Sequence, residues 1–412
     1  MSIRTVNKLV VEDGDNMAKR YDDKRRLLRT GEYQRPDGIY TYRTTVDGKR
    51  HTITSTSLGE LRLKEEEITE QIEKGLDLDK QNLTLNDLAD KYLDDKAKTV
   101  QRSTICIMRN MYNLYVRNTL GNRQVSEIKK SHVKDLYLDM LDKNNLSIAT
   151  IMRMGSILKP MFEVAVDDDI IIKNPAKGVV NQIKKEKGYV GHKKSALTER
   201  QAKAFLDFVM TNDKYDNVRN LFVFLLGTGC RVGEATAITW NDIDFQNGII
   251  NINHSVAYVR ENGSYIQFMK VPKTAAGIRQ IPMLDNVREA LIRERERQEM
   301  LGVKTPELDG YTDFVFLSTR GTIYRRETVA HNIREIIHDY NAVHKYEKLP
   351  DFSTHQLRHT FATLICKNTS DLKAIQHILG HADITTTMNI YADATKDGVD
   401  KSMRAMEGVM FN

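Results

Sequence analysis

Cysteine is scarce in this sequence, and the spacing of the few cysteines excludes two kinds of cross-linked domain. The 412-residue chain has three cysteines, Cys106, Cys230 and Cys366, which lie far apart and form no CxxC pair. Neither a disulfide framework nor a zinc ribbon is therefore indicated. Unpaired cysteines of this kind fit a reducing cytosol.

Long apolar runs and nucleotide-binding loops are also missing. The most apolar run, LFVFLLG at 221–227, is far too short to span a bilayer, and the first sixteen residues lack the basic start and apolar core of a signal peptide. There is no G-x-x-x-x-G-K-S/T phosphate loop. We therefore expect a soluble, cytoplasmic protein with no membrane partner and no ATP site.

Basic residues are in slight excess, with 62 lysines and arginines against 56 aspartates and glutamates, a net charge of +6. This excess permits a polyanionic partner without proving one. A chain of this length can form two or three domains, each with its own core. The position of the charge along the chain is therefore more informative than its sum.

The amino-terminal region contains a strong hairpin signal. The stretch GIYTYRTTVDGKRHTITST alternates apolar or β-branched with polar residues on both sides of Asp47-Gly48, and a charged helical stretch follows. Residues 1–19 are assigned to a tail whose order the sequence leaves open, and residues 20–80 to a small three-stranded β-sheet plus a helix. Four basic residues of that domain either bind DNA or form an ordinary solvated face: Lys24, Arg25, Arg26 and Arg29.

A helical segment and a basic segment come next. Residues 81–180 have apolar side chains three and four apart, which predicts an all-helical domain. Residues 181–196, NQIKKEKGYVGHKKSA, are rich in lysine and poor in apolar residues, and we interpret them as a basic linker. Lys184 and Lys185 in this linker either lie along a phosphate backbone or are simply exposed, and the two interpretations are evenly matched.

Residues 197–395 are predicted to form an α+β domain. Four short β-rich runs, GIINI, SVAYV, SYIQF and RQIPM, indicate a small antiparallel sheet within a mostly helical domain. Residues 396–412 carry apolar residues at helical spacing, which predicts a C-terminal tail helix. The predicted fold is therefore multidomain and mostly α.

The window from 353 to 395 concentrates histidines and first suggests a metal site. On a helix, His355, Arg358 and His359 fall on one exposed face, opposite the apolar residues. His355 and His359, four residues apart, have the spacing of a helical zinc pair, and His377 or His381 could complete the ligand set. This is the strongest case for a metal in the sequence.

A phosphate site is the competing interpretation, and it fits the neighbouring residues better. Gln356 stands where a metalloprotease carries its glutamate base, and Arg358 would repel a divalent cation. A phosphoryl transition state needs several donors. A second arginine, Arg231, comes just after a glycine break at which a helix is expected to restart, and Glu234, three residues on, can hold its guanidinium. Lys273 lies at a turn between two predicted strands, although a lone loop lysine is ordinarily just solvated. We therefore expect no metal, and we interpret His359 as a helix-surface or packing residue.

The whole series of residues is more specific than any member of it. Along the chain it runs Arg231, Glu234, Lys273, His-x-x-Arg, Leu-Gly-His and then a tyrosine ten residues later. This order resembles the tyrosine recombinases, the integrase family of site-specific DNA recombinases, and every position of their pattern is filled. The resemblance covers residues 84–400 and is sharpest from 227 to 391.

The resemblance implies covalent chemistry on DNA. Tyr391 would attack a scissile phosphate and form a 3′-phosphotyrosyl link. A free phenol has a pKa near 10 and needs cationic neighbours to react at neutral pH. Arg231 and Arg358 would provide that charge and hold the non-bridging phosphate oxygens.

The resemblance also assigns the remaining residues. His355 would be the general base, Lys273 the general acid that protonates the leaving 5′-oxygen, and His381 a hydrogen-bond donor to the phosphate. Glu234 would support Arg231 and His355. The energy of the broken phosphodiester bond would be kept in the protein–DNA link, so the rejoining step would need no cofactor.

Partners follow from the same resemblance. Residues 81–180 would be the core-binding domain and residues 20–80 an arm-type DNA-binding domain, which indicates the integrase of a mobile element acting in both integration and excision. We expect double-stranded DNA at core and arm sites, a homotetramer, an excisionase, a host DNA-bending protein and a bacterial, nucleoid-associated location. The tail after 396 would pack on a neighbouring subunit or on its own domain. A type IB topoisomerase-like enzyme and a non-catalytic DNA-binding accessory protein are the alternatives.

Overall fold

The computed structural model describes residues 20–46, 48–73, 76, 82–191, 195–261, 263–272 and 274–394. It divides into two compact units, Met1–Val190 and Gly191–Asn412, and each has its own hydrophobic core. Within the described ranges, no helix is both long and apolar enough to cross a membrane.

A small antiparallel sheet and a helix begin the first unit. Strands β1 (Glu32–Gln34), β2 (Tyr40–Val46) and β3 (Lys49–Ser55) pair in chain order, and helix α1 (Leu58–Glu73) packs against β2 and β3. Gly48, in the turn between β2 and β3, has a φ of 78°, the left-handed conformation that tight hairpin turns require. The predicted three-stranded sheet and helix are confirmed. Residues 1–19 and Asp47 lie outside the described residues.

The side of this sheet that faces the helix follows from strand alternation. Successive side chains of a strand point to opposite faces, so Tyr40 and Tyr42 share one face of β2. Both tyrosines are buried in a cluster with Leu28, Leu58 and Leu61. The aromatic residues of the hairpin therefore form the small core of this part of the chain.

An all-helical bundle follows, as predicted. Its helices are α2 (Leu85–Ala97), α3 (Arg102–Tyr115), α4 (Lys130–Asp142), α5 (Ile148–Asp167) and α6 (Val179–Glu186). Helix α2 begins with a capping box, in which the Thr84 hydroxyl accepts from the Asp87 N–H at 3.2 Å and the Asp87 carboxylate accepts from the Thr84 N–H at 3.0 Å. Apolar residues three and four apart line the common core.

The start of the predicted basic linker differs from the expectation. Residues 181–186 form most of α6, and Val179 and Ile183, one turn apart, are buried in the helical core. Lys184 and Lys185 stand in the last turn of α6, where positive charge is favourable at the negative end of a helix. The lysine-rich composition of the linker hid Ile183, which together with Val179 anchors this helix. Residues 192–194 lie outside the described residues.

The second unit is mostly helical with short strands. Its helices are α7 (Glu199–Thr211), α8 (Asp216–Thr228), α9 (Val232–Ala235), α10 (Asp285–Leu301), α11 (Arg326–Val343), α12 (Thr354–Asn368), α13 (Leu372–Leu379) and α14 (Ile384–Ala394). Its strands are β4 (Ile243–Asp244), β5 (Ile249–Ile252), β6 (Ser255–Glu261), β7 (Ser264–Lys270) and β8 (Arg279–Pro282). Edge-to-face aromatic pairs such as Phe205–Phe222, with ring centroids 5.2 Å apart, stabilise its core.

The strands of this unit form two sheets, whereas one sheet was expected. Strand β5 pairs with β4 on one edge and β8 on the other, while β6 and β7 form a separate two-stranded ribbon. Both edges of β5 are occupied, so β6 cannot join it. Between β5 and β6 the chain turns at buried His254, whose Nε2 lies 2.8 Å from the Ala237 carbonyl oxygen. The α+β character of the domain is confirmed.

Candidate active site

One pocket of the second unit gathers most of the residues that the sequence singled out. It has a volume of about 490 Å³. Its walls come from the start of α9, one face of α12, the turn after α13 and the first turns of α14. Its lining includes Arg231, His355, Arg358, His359 and His381. Four members of the predicted series therefore converge although they are spread over 150 residues of sequence.

Arg231 is held at the start of a short helix by its own neighbour. It is the N-cap of α9, as the glycine break predicted, and its backbone N–H donates to Glu234 Oε2 at 3.0 Å while its Nη1 donates to Glu234 Oε1 at 2.7 Å. The side chain remains 46 % exposed. An anchored but accessible guanidinium presents a fixed fork to a ligand.

The break before Arg231 depends on Gly229. This residue ends α8 in the left-handed conformation, with φ 65°. A Cβ built there would stand 2.3 Å from the Phe361 ring of α12. The glycine therefore allows α8 and α12 to approach closely, which brings Arg231 next to the histidines of α12.

Glu234 is a buried carboxylate among arginines. Its side chain is 8 % exposed and lies 2.7 Å from Arg231, 2.9 Å from Arg279 and 4.0 Å from Arg358. Burial alone would raise the pKa of this carboxyl, but the charges and hydrogen bonds of Arg279 and Arg231 outweigh burial and lower it. Glu234 is thus ionised at neutral pH and holds the arginines in place.

Arg358 lies deeper than the sequence indicated. Helical periodicity placed it on an exposed face of α12, yet the residue is only 3 % exposed. Its Nη1 donates to the Gly229 carbonyl at 2.9 Å and its Nη2 to the Leu379 carbonyl. Burial, followed by the charge of Arg231, lowers its pKa to about 10, so it stays a cation at neutral pH. The face that periodicity treated as solvent is covered by the turns before α9 and after α13.

The turn after α13 is fixed through its carbonyl groups. Helix ends leave their last carbonyls without intrahelical donors and favour cations nearby. Besides the Arg358 bond to Leu379, Arg279 Nε donates to the Ile378 carbonyl at 2.7 Å. Gln376 Nε2 donates to the His381 carbonyl at 3.0 Å. Together these bonds define the position of His381.

The two histidines of the series are both held in the neutral form. Burial, then the charges of Arg358 and Arg231, lowers the pKa of His355 below its usual value. The same causes lower the pKa of His381 to about 4. His381 Nδ1 also lies 3.0 Å from the hydroxyl of Thr387. Neutral imidazoles can accept a proton or donate a hydrogen bond, as base and phosphate-binding roles require.

Tyr391 lies on α14, the helix that supplies Thr386 and Ile390 to the pocket wall. Its ring is partly buried against a cluster that includes Cys366 and Leu379. Lys273 lies outside the described residues, between the end of β7 and the start of β8. Strand β7 ends at Lys270 and strand β8 begins at Arg279.

The residues of the rejected metal interpretation have other surroundings. Gln356 completes a capping box with Ser353 at the start of α12 and donates to the Ser195 carbonyl at 3.0 Å. His359 lines the pocket, although the sequence favoured a surface or packing role, and His377 is exposed on α13. No cluster of three or more potential metal-binding side chains occurs in the part of the chain that the structure describes.

Arg279 is a site residue that sequence reasoning missed. Its side chain has no exposed surface, and its Nη2 donates to Glu234 Oε2 at 2.9 Å. Alternation along β8 puts it on the buried face with Ile281. In the sequence, Arg279 alternates in phase with Ile281 along a predicted strand, which indicates a buried side chain. A buried arginine needs an acidic partner, so this alternation was the signal that could have identified Arg279.

The candidate DNA-binding residues of the first unit are all on its surface. Arg26 bonds to the Asp22 carboxylate at 2.7 Å and to the Tyr40 hydroxyl at 2.7 Å. Arg29 lies 3.9 Å from Glu66. The remaining candidates, Lys24, Arg25, Lys184 and Lys185, are exposed or half-buried.

Comparisons with known proteins identify the chain. Three family models match it: the DNA binding domain of Tn916 integrase over residues 16–74, the N-terminal SAM-like domain of phage integrases over 84–141 and the phage integrase family over 195–397. The transposase from transposon Tn1545 of Streptococcus pneumoniae is 32 % identical, and the transposase from Tn916 of Enterococcus faecalis is 31 % identical. Each alignment covers 94 % of this chain and 96 % of the relative.

Solved structures agree with these relatives. The Tn1549 transposon integrase, in complex with a circular intermediate DNA, is 30 % identical over 78 % of this chain and 99 % of that chain, with a TM-score of 0.68. A lambda integrase tetramer bound to a Holliday junction, 18 % identical over 88 % of this chain and 95 % of that one, shares the fold with a TM-score of 0.52.

Fold and relatives together define a class of enzyme, the tyrosine site-specific recombinases. Within that class, the chain belongs to the integrase family of phages and conjugative transposons. The family resemblance, the fold class and the function of a mobile-element recombinase are confirmed. The topoisomerase-like and accessory-protein alternatives are not favoured.

Proposed function

We propose that the pocket of the second unit cuts and rejoins double-stranded DNA through a 3′-phosphotyrosine intermediate, and that this chemistry integrates and excises a mobile element. The observation that carries the proposal is the convergence of Arg231, His355, Arg358 and His381 on one pocket. Two guanidiniums and one neutral imidazole can bind the two non-bridging oxygens of a phosphodiester, and the second neutral imidazole can accept the proton that the attacking hydroxyl loses.

The arginines bind and polarise the scissile phosphate. Arg231 is accessible and fixed by Glu234, and Arg358 is fixed by two backbone carbonyls, so neither guanidinium has to reorganise when the phosphate arrives. Preorganised donors of this kind are worth about 10²–10³-fold each in rate. Their positive charge also stabilises the negative charge that develops on the phosphate oxygens in the transition state.

Proton transfer involves the nucleophile and the leaving group. Tyr391 Oη forms a bond to phosphorus as the bond to the 5′-oxygen breaks. His355, held neutral, accepts the phenol proton, and Lys273 protonates the departing 5′-oxygen. His381 donates a hydrogen bond to a non-bridging oxygen. Rejoining reverses these steps with the 5′-hydroxyl of the partner strand, and the proposed mechanism uses no cofactor.

The other regions bind DNA and partners in this proposal. Residues 20–80 read arm-type sites, which the match to the DNA binding domain of Tn916 integrase over residues 16–74 supports. Residues 81–180 hold the core site, which the DNA complexes of residues 82–397 of the Tn1549 integrase support. The proposed assembly is a homotetramer on nucleoid DNA, joined by an excisionase and a host DNA-bending protein. Deletion of residues 1–80 is expected to abolish binding to arm sites and to spare core-site cleavage. Equal loss of both activities would contradict this division.

The C-terminal tail is the proposed link between subunits. Residues 396–412 lie outside the described residues, and their helical spacing of apolar residues supports docking on a neighbouring copy. Deletion of 398–412 is expected to reduce tetrameric synapsis. Undiminished synapsis would favour packing on its own domain.

A suicide substrate that carries candidate element ends tests the reaction itself. The expected product is a protein–DNA adduct that survives denaturing electrophoresis, with one free 5′-hydroxyl at a fixed position. Incubation with a supercoiled plasmid that lacks element ends is the control. Efficient relaxation of that plasmid would favour topoisomerase-like activity over site-specific recombination.

A further inference from the structure

The turn that carries His381 is joined to the nucleophile helix by a buried hydroxyl. Thr387 has no exposed surface, and its Oγ1 lies 3.0 Å from His381 Nδ1. The neighbouring threonines of α14, Thr385 and Thr386, are exposed. Thr387 stands four residues before Tyr391, one helical turn away and on the same side of α14. The contact therefore connects the phosphate-binding imidazole to the helix that presents the nucleophile.

The geometry leaves one ring nitrogen of His381 for the substrate. The imidazole lines the pocket, and its Nδ1 is engaged by Thr387, so Nε2 is the nitrogen available to a ligand. The backbone on either side is also fixed, since the His381 N–H donates to the Gln376 carbonyl at 3.2 Å and the His381 carbonyl accepts from Gln376 Nε2 at 3.0 Å. Gln376 thus fixes the backbone of His381, whereas Thr387 fixes its ring.

Which ring nitrogen carries the hydrogen determines which hydrogen bonds His381 can make. A neutral imidazole has one N–H donor and one acceptor nitrogen, and the low pKa of about 4 makes the neutral form dominant at neutral pH. If Nδ1 carried the hydrogen, the lone pair of Nε2 would face the phosphate and be repelled by its oxygens. If the Thr387 hydroxyl donates to Nδ1, the hydrogen is on Nε2 and can bind a non-bridging oxygen.

We propose that the Thr387 hydroxyl donates to His381 Nδ1 and thereby fixes the tautomer whose Nε2–H binds the scissile phosphate. Thr387 is then a positioning residue of the active site, on the same helix as the nucleophile. This inference rests on the proposed function, because it assigns Nε2 to a phosphate oxygen. Partners that fix the orientation and tautomer of metal-binding histidines are worth on the order of 10- to 100-fold, and we expect a similar factor here.

The test compares isosteric variants on a suicide substrate. Thr387→Val keeps the shape and loses the hydroxyl, Thr387→Ser keeps the hydroxyl, and Thr385→Val is a matched control on the exposed side of the helix. We expect Thr387→Val to slow covalent-complex formation at saturating DNA by about 10-fold or more, with unchanged DNA affinity. The Ser and Thr385 variants should stay close to the wild type. A Val variant as fast as the wild type, or a Ser variant as slow as the Val variant, would overturn the inference.

A double-mutant cycle separates positioning from general structural damage. In a His381→Ala background, Thr387→Val should cause no further loss of rate, because its effect passes through the imidazole. The same loss in both backgrounds would show that Thr387 supports α14 and not the tautomer.

The tautomer can also be observed directly in the full-length wild-type protein. Nitrogen-15 NMR with labelled histidine should show His381 with hydrogen-bearing Nε2 and bare Nδ1, and the opposite assignment would refute the inference even if Thr387→Val does not fold. Absence of any covalent complex in the wild type would contradict the proposed function instead, while the NMR result would still decide the tautomer.

Discussion

Arg279 Nη2 donates to Glu234 Oε2 across 2.9 Å, and the arginine side chain has no exposed surface. Glu234 in turn holds Arg231 through its other oxygen, and Arg279 also donates to the carbonyl of Ile378. One buried residue of β8 therefore connects the start of α9 with the turn that carries His381. The arrangement gives Arg279 a supporting role for both sides of the pocket.

Removal of Arg279 should destabilise the second unit strongly. Arg279→Met leaves Glu234 buried with one fewer cation and leaves the Ile378 carbonyl without its donor. The loss of one partner of a buried pair costs about 3–5 kcal/mol of unfolding free energy. Chemical denaturation of the full chain measures this loss. Arg200→Met, which removes an exposed ion pair with Glu347, should change stability little, and equal effects of the two substitutions would contradict the account.

Arg358→Lys should impair catalysis although the charge is kept. The planar guanidinium of Arg358 donates to the carbonyls of Gly229 and Leu379 and can still reach a phosphate. The ammonium group of a lysine cannot make all of these contacts. We expect cleavage at saturating DNA to slow by about 10²–10³-fold, measured as covalent-complex formation. Arg320→Lys, at an exposed arginine, is the control. A rate for Arg358→Lys close to the wild type would argue against direct phosphate binding by this residue.

Lys273→Ala should show the defect of a missing general acid. Cleavage of ordinary DNA is expected to slow by about 10²–10⁴-fold, because the 5′-oxygen leaves unprotonated. A substrate with sulfur in place of the bridging 5′-oxygen should restore the rate, since a thiol with a pKa near 8.5 leaves without a proton. Exposed Lys345→Ala is the control. A defect that persists on the sulfur substrate would assign Lys273 another role.

The second unit should lose stability as the pH falls from about 6.5 to about 4, in part through His381. The pKa of His381 is lowered to about 4 from 6.5, so between these values the unfolded chain binds a proton that the folded chain does not. Acidification therefore favours unfolding across this window. The drop in Tm between pH 7 and pH 5 should be smaller in His381→Gln than in the wild type. Exposed His377→Gln is the control, and an unchanged drop in His381→Gln would contradict the assignment.

Sequence patterns predicted most of the fold and four of the residues that line the pocket, because those features depend on local spacing. The hairpin at Asp47-Gly48, the helical bundle and the N-cap position of Arg231 all follow from neighbouring residues. Arg279 was missed because its partners are distant, with Glu234 45 residues and Ile378 99 residues away. Such contacts exist only once the chain has folded.

Contacts between distant parts of the chain also explain why the burial of Arg358, the division of the strands and the start of the linker differ from the predictions. Helical periodicity considers α12 alone. It could not show the burial of Arg358, because the turns that cover this residue are more than twenty residues away along the chain. The division of the strands into two sheets depends on which edges of β5 are already paired. The helical start of the basic linker depends on two apolar residues, Val179 and Ile183, meeting a core formed by earlier helices.

Tyr391 as the nucleophile is the central claim, and a single substitution tests it most directly. Wild-type protein, Tyr391→Phe and the fully exposed control Tyr346→Phe are incubated with the suicide substrate and separated on denaturing gels, with DNA binding measured in parallel. The account predicts equal DNA binding by all three proteins, a covalent adduct with the wild type and the control, and none with Tyr391→Phe. A covalent adduct that persists in Tyr391→Phe would contradict it.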